Sequence, residues 1–170
     1  MIGLLDHLDQ IRSKTPFFGH VRFNYGWSEA IQFLDTHPEK LLDMNEGKYR
    51  VSLNASHTRG SFPKFGHELI AEMNELFPKN HNTCISFLGM GSQNFSYPWH
   101  KDGMDVILVQ GLGNIELKVE KTNFAENPIL FSPGDWVFIP RGTHHEITTS
   151  SSRLTFSFGV EQDTDTSIFG

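Results

Sequence analysis

Cysteine is nearly absent: Cys84 is the single one in 170 residues. An intramolecular disulfide and a thiolate metal cluster are therefore both excluded, since each needs more than one thiol. The scarcity fits a reducing cytosol, so a cytoplasmic location is expected. Basic side chains are also few, 14 Lys and Arg against 20 Asp and Glu, for a formal charge of −6. Such a surface repels a phosphate backbone, so nucleic acid is not an expected partner. A basic protein partner suits the sign, and a small basic pocket is still open. No apolar run approaches the ~20 residues that cross a bilayer, so no membrane partner is expected. The opening residues 1–9 carry acids inside their apolar run and lack both a basic start and a small-residue cleavage site. They read as an amphipathic helix and not as a secretory leader. No internal repeat is present, and the low-complexity stretch at 148–152 reads as a polar turn.

What the chain does have is apolar and aromatic mass: 38% hydrophobic residues, 15 of them Phe. That is the composition of a globular protein, and the length suits one domain spanning 1–170. Residues 1–80 read as mostly helical. Ile2, Leu4, Leu5, Leu8 and Ile11 recur at helical spacing. Ser28 is the expected N-cap of a helix carrying Ile31, Phe33 and Leu34. Pro38 opens a turn that includes Leu41 and Leu42. Tyr49 to Leu53 alternates like a strand, and Leu69, Ile70, Met73, Leu76 and Phe77 form one helical stripe closed by Pro78.

From residue 83 onward the pattern changes. Short β-rich runs at 83–88, 105–110, 115–119, 129–131, 136–139, 146–149 and 154–160 are separated by Gly, Pro, Asn and Ser. Gly111-Leu112-Gly113-Asn114 reads as a hairpin turn and Pro133-Gly134-Asp135 as a second turn. Many short strands with regular turns predict a sandwich or barrel, with the helices packed on its outside. Helices first and strands later exclude an alternating βαβ order.

Two places concentrate chemistry: Tyr97-Pro98-Trp99-His100-Lys101-Asp102-Gly103 and Phe138-Ile139-Pro140-Arg141-Gly142-Thr143-His144-His145-Glu146. In an extended segment, residues i and i+2 share a face. His100 and Asp102 therefore present an imidazole and a carboxylate to one ion. A histidine from a distant strand, His144 or His145, completes a set of two imidazoles and one carboxylate. That set, with open positions, suits non-haem iron(II) and dioxygen. Adjacent strand residues face opposite ways, so one of the two histidines binds and the other does not. His7-Leu8-Asp9 repeats the His-x-Asp spacing in a helical segment, where i and i+2 do not share a face, and reads as surface decoration.

The stretch His100-Lys101-Asp102-Gly103-Met104-Asp105-Val106-Ile107-Leu108-Val109-Gln110, followed by Gly113, resembles the core of the JmjC and cupin-like 2-oxoglutarate oxygenases. Pro133-Gly134-Asp135-Trp136-Val137-Phe138-Ile139-Pro140 resembles that family's Pro-Gly-Asp strand. Leu154 to Gly159 resembles the last barrel strand of its bacterial ribosomal-protein hydroxylases. The likeness covers residues 83–160. It implies a mainly β fold with N-terminal helices: a double-stranded β-helix, or cupin jelly-roll barrel, that carries the metal. It also implies His145 as the third ligand, because the family's second histidine falls five residues after the proline matching Pro140. The expected site is thus His100, Asp102 and His145, serving as metal ligands and catalytic residues. The resemblance implies iron(II), 2-oxoglutarate as co-substrate and dioxygen, with hydroxylation of a protein side chain or a small molecule.

The family's usual lysine or arginine for the far carboxylate of 2-oxoglutarate is replaced by Ile115. Lys118 and Arg153 are the candidates to take its place, and Tyr97 is a candidate hydroxyl donor. Asp105 is expected to accept hydrogen bonds in the turn after the ligand pair, and Gln110 to be a buried amide near the site. Arg141 stands beside the metal turn, within reach of a carboxylate. Trp136 is read as core and Trp99 as a pocket candidate; His57 to Gly60 is a polar loop. Relatives that hydroxylate proteins carry helices after the barrel for dimerisation, whereas about ten residues follow the last strand here. A homodimer would then use the N-terminal half or a barrel edge. Ile115 also keeps open a metal cupin that works without 2-oxoglutarate, either as a dioxygenase or isomerase or as a binding module.

Overall fold

The computed structural model describes residues 2–36, 40–43, 48–54, 63–78, 81–89, 97–149 and 151–161, without the side chains of 34, 36, 40–43, 48–54, 81–89 and 161. A 3-10 turn (Leu4–His7) leads into helix α1 (Leu8–Arg12), strand β1 (Phe17–His20), helix α2 (Trp27–Thr36), strands β2 (Lys40–Asp43) and β3 (Lys48–Asn54), and helix α3 (Lys64–Leu76). Eight strands follow: β4 (His81–Gly89), β5 (Tyr97–Lys101), β6 (Asp105–Leu112), β7 (Ile115–Val119), β8 (Ile129–Phe131), β9 (Asp135–Ile139), β10 (His144–Thr148) and β11 (Arg153–Glu161).

These strands form two sheets, ordered β1-β9-β6-β11-β4-β3-β2 and β5-β10-β7-β8. Every pairing is antiparallel. From β4 to β11 the chain passes back and forth between the sheets, so strands adjacent in sequence mostly face each other across the core. This is the double-stranded β-helix. It also changes the reading of Gly111 to Asn114. The segment is not a hairpin, because β6 pairs with β9 and β11 while β7 pairs with β8 and β10. The same turn residues serve here as a corner between sheets.

The first half is less helical than its sequence suggests. β1 extends the large sheet beside β9, and β2 and β3 extend its other edge beside β4. Four-residue strands are too short to show a period. Leu41 and Leu42, expected in a helical turn, lie in β2; Pro38 and the loop at 57–60 fall outside the described residues. Ser28 is not the cap of α2, because that helix begins one residue earlier. Instead Gly26 N–H donates to Glu29 Oε2 at 3.0 Å, the return half of a capping box. Phe33 is fully buried, whereas Ile31 is 48% exposed.

Strand alternation sends side chains into two apolar clusters. Ile107, Val109, Trp136, Phe138, Phe156 and Phe158 face outward from the large sheet and meet Leu4, Ile11, Phe33, Phe65, Leu69 and Met73 of the N-terminal elements. Each such side chain contributes about 1.5–3 kcal/mol on full burial. Rings interlock at this seam: Phe17 meets Trp136 edge-on at 5.6 Å, and Phe23 stacks on Phe65 at 4.4 Å. Buried Glu72 of α3 fastens the chain start, its carboxylate accepting the N–H groups of Ile2, Gly3 and Leu4 at 3.0, 3.3 and 2.7 Å. The second cluster lies between the sheets and includes Leu108, Ile115, Leu117, Phe131, Val137 and Ile147. Among the described residues, no helix is long and apolar enough to cross a membrane.

The corner between the sheets depends on one glycine. Gly113 has φ +66°, and a Cβ there would sit 2.2 Å from Ser152 O. Gly113→Ala is expected to cost about 3 kcal/mol, combining left-handed strain with overpacking. Gly103→Ala, where a Cβ meets nothing within 4 Å, should change stability little. Urea unfolding of the two variants checks the contrast; equal midpoints would contradict it.

Candidate metal centre

His100 and His145 stand directly opposite each other in the pairing of β5 with β10. Their ring centroids are 4.3 Å apart. On β10, alternation buries His145 and Ile147 and turns His144 and Glu146 outward. The register shifts between His145 and Ile147, whose partner is Tyr97. The bulge absorbs the extra residue at Pro98 and Trp99, so Tyr97 and His100 both reach the cavity between the sheets. A proline fits there because β5 is an edge strand of its sheet.

Asp102 follows β5 directly and closes the group. Its Oδ1 lies 3.8 Å from His100 Nε2 and its Oδ2 lies 3.5 Å from His145 Nε2. The three donor atoms fall within 4.8 Å of one another. Both imidazoles are oriented by backbone: His100 Nδ1–H donates to Pro98 O at 2.7 Å and His145 Nδ1–H to Thr143 O at 3.2 Å. Each bond fixes the tautomer that leaves an Nε2 lone pair pointing at the common centre, as metal-binding histidines require. Burial lowers the pKa of His145 below its usual 6.5, and His100 and His144 push the same way, against the Thr143 carbonyl and Asp102. The buried ring is therefore held neutral, the form that binds a metal. His145 is sealed at 4% side-chain exposure, while His100 and Asp102 are open at 34% and 36%. A cation held here would be reachable from outside. The donor set fits a divalent ion.

Two segments far apart in sequence are tied at this point. Gly142 N–H donates to Asp102 O at 3.0 Å, and Arg141 N–H donates to Asp105 Oδ1 at 2.8 Å. The Arg141 contact with Asp105 is made by its backbone, and the residue is exposed. His144 lies on the opposite face. Its ring stacks on Trp99 at 5.7 Å and an interplanar angle of 5°, and its Nδ1 meets Glu120 Oε2 at 3.1 Å. Trp99 is thus an outward, half-exposed residue and does not line the cavity, whereas Trp136 is core.

The cavity beside the triad measures about 330 Å³ and is lined by Tyr97, Met104, Val106, Leu108, Ile147, Arg153 and Ser157 together with the three donors. Arg153 is fully buried, and Nη1 donates to Thr155 Oγ1 at 2.5 Å. Thr155 passes the bond to Gln110 Oε1 at 2.7 Å, and Gln110 Nε2 donates to Leu112 O and Gly113 O at 2.8 and 2.9 Å. Desolvation pulls the Arg153 pKa down to about 10, and proximity to Tyr97 opposes that shift. The guanidinium therefore stays charged at neutral pH.

Lys118, one of the two candidates for the far carboxylate of the co-substrate, is not brought to the cavity. It lies on the outward face of β7, its ammonium 3.2 Å from Glu146 Oε1, because alternation from buried Leu117 turns it away. Ile115 points inward into the apolar cluster. Thr155 and Ser157 are not apparent as site residues from sequence. Their signal is the i, i+2, i+4 series begun by Arg153, which shares one face of a regular strand.

No protein-family model matches the chain, and no curated protein matches it by sequence. Solved structures do match. The ribosomal oxygenase YcfD from Escherichia coli, in complex with cobalt and 2-oxoglutarate, superposes with a TM-score of 0.69 at 16% identity, covering 96% of this chain and 53% of that one. Its complex with cobalt and succinic acid gives 0.68 at 16% identity, covering 96% and 52%. The chain spans about half the length of these structures. At such identity the likeness speaks for the fold: this chain and the ribosomal oxygenase are built on one double-stranded β-helix.

Proposed function

We propose that the chain is an iron(II)- and 2-oxoglutarate-dependent oxygenase that hydroxylates a protein side chain or a small molecule. The observation that carries this reading is a single cavity holding a two-histidine, one-carboxylate group together with a buried arginine. His100, Asp102 and His145 would hold the metal. Iron(II) bound there supplies dioxygen activation coupled to oxidative decarboxylation of 2-oxoglutarate, which leaves hydroxylated substrate, succinate and carbon dioxide. Arg153 binds the far carboxylate of the co-substrate through its planar fork, with Thr155 and Gln110 holding the guanidinium in place. The Tyr97 hydroxyl donates a further hydrogen bond to the same anion. Val106, Leu108 and Ile147 keep the cavity wall apolar, which strengthens each charged contact. YcfD, crystallised with cobalt and 2-oxoglutarate, is the precedent for this pairing of metal and co-substrate on such a barrel. A negative formal charge of −6 favours a basic protein as the prime substrate.

Ile115 favours a second reading, a metal-dependent cupin that acts on a bound small molecule without 2-oxoglutarate. Turnover separates the two. Purified protein with iron(II) is expected to convert 2-oxoglutarate to succinate slowly even without prime substrate. Absence of both succinate and any 2-oxoglutarate-dependent thermal shift under anaerobic iron loading would reject the oxygenase reading. Arg153→Met should raise KM for 2-oxoglutarate about 30-fold or more, as expected for removing one partner of a buried charge pair. An unchanged KM in a folded variant would take Arg153 out of the site.

Metal binding is tested separately. His100→Ala is expected to abolish cobalt(II) uptake in a spectroscopic titration, while His144→Ala retains most of it. Comparable losses would show that the two neighbouring histidines are not distinguished. The depressed pKa of His145 sets the sign of a pH effect. The unfolded chain takes up a proton near 6.5 that the folded ring refuses, so the contribution of this group to stability is complete above that value and is lost as pH falls below it. The metal-free unfolding midpoint should therefore drop on acidification, and less steeply in His145→Asn. Parallel pH profiles would contradict the assignment.

A further inference from the structure

Helix α1 ends in a Schellman motif: Thr15 N–H donates to Gln10 O at 2.9 Å and Lys14 N–H to Ile11 O at 3.3 Å. The residue after the cap is left-handed, at φ 54°. Glycine is the usual occupant, because a Cβ is disfavoured in that conformation. Here it is a lysine. Its ammonium lies 2.5 Å from Asp105 Oδ2. Asp105 is 6% exposed, and its other oxygen accepts Arg141 N–H at 2.8 Å. A carboxylate buried to that degree needs a cation beside it. The Lys14 side chain is itself half exposed, but the acid it neutralises is buried, and that gives a reason to keep a strained backbone which a pair exposed on both sides would not.

We propose that Lys14 is a positioning residue for the metal centre, acting through Asp105; this rests on the metal-binding reading above. Asp105 begins β6 three residues after Asp102, and Arg141 lies four residues before His145. The Lys14–Asp105–Arg141 chain and the Gly142 N–H to Asp102 O bond together clamp the turn carrying His145 onto the segment carrying His100 and Asp102. The N-terminal segment thereby reinforces, beside the ends of β5 and β10, the register that their pairing sets.

The test uses K14M, K14G and K14R in the full chain. K14G restores the favoured residue at the left-handed position, so it separates loss of the ammonium from loss of fold. Amide hydrogen exchange at Arg141 and Gly142 should be about tenfold faster in K14M and K14G and near wild type in K14R. Cobalt(II) affinity should fall about 10- to 100-fold in the same two variants and recover in K14R, the range seen when partners of metal ligands are removed. Unchanged exchange in K14M and K14G overturns the proposal, and so does faster exchange with unchanged cobalt affinity. A wild-type chain that takes up no cobalt(II) overturns the metal centre itself, and the exchange rates alone then decide whether Lys14 holds the turn.

Discussion

The pairing of His100 with His145 across β5 and β10 is the constraint on which the site depends. Side chains alternate with a period of two, so a slip of one residue in β10 would put His144 inside and His145 outside. Several features oppose that slip. Ile147 belongs to the apolar cluster between the sheets, and His144 and Glu146 carry polar partners on the outer face. The register that buries the most apolar surface is therefore the one that brings both imidazoles together. Folding energy and site assembly select the same pairing.

The strand β11 shows why this barrel can hold a charge at its centre. Its outward residues, Leu154, Phe156, Phe158 and Val160, pack against the N-terminal elements. Its inward residues, Arg153, Thr155 and Ser157, are polar. The usual polarity of a two-faced sheet is inverted at this strand: the face toward the helices is the apolar one. Burying a guanidinium is costly, and the hydrogen bonds from Arg153 through Thr155 to Gln110 offset part of the penalty. Gln110 spends both amide hydrogens on Leu112 and Gly113 carbonyls at the corner between the sheets. The same residues that turn the chain also hold the cation.

Much of the barrel is legible in the sequence because its strands are short, apolar and set off by Gly and Pro. His100 and Asp102 are legible from i, i+2 spacing, whereas spacing leaves His144 and His145 equivalent until strand pairing distinguishes them. The first half reads poorly. Phe17 to His20 and Lys40 to Asp43 are strands defined by their neighbours in the sheet, β9 and β3, not by a local period. The bulge at Pro98 and Trp99 is equally non-local, since it exists only relative to β10. Lys14 offers no sequence signal at all. Its meaning comes from a backbone angle and from a carboxylate 91 residues away.

That the buried cation of the interior is Arg153, while Ile115 is apolar, has a physical consequence. Ile115 lies 1% exposed among Leu117, Phe131 and Val137, so that end of the interior is filled with hydrocarbon. A lysine there would have to be desolvated in an apolar packing, without a hydrogen-bonding chain to receive it. On β11 the cation sits beside Thr155 and Ser157, facing the cavity that His100, Asp102 and His145 share. The interior is thereby divided into an apolar part that stabilises the fold and a polar part that is available for chemistry. That division, more than the identity of any one site residue, is what lets so small a barrel keep a charged site without giving up its core.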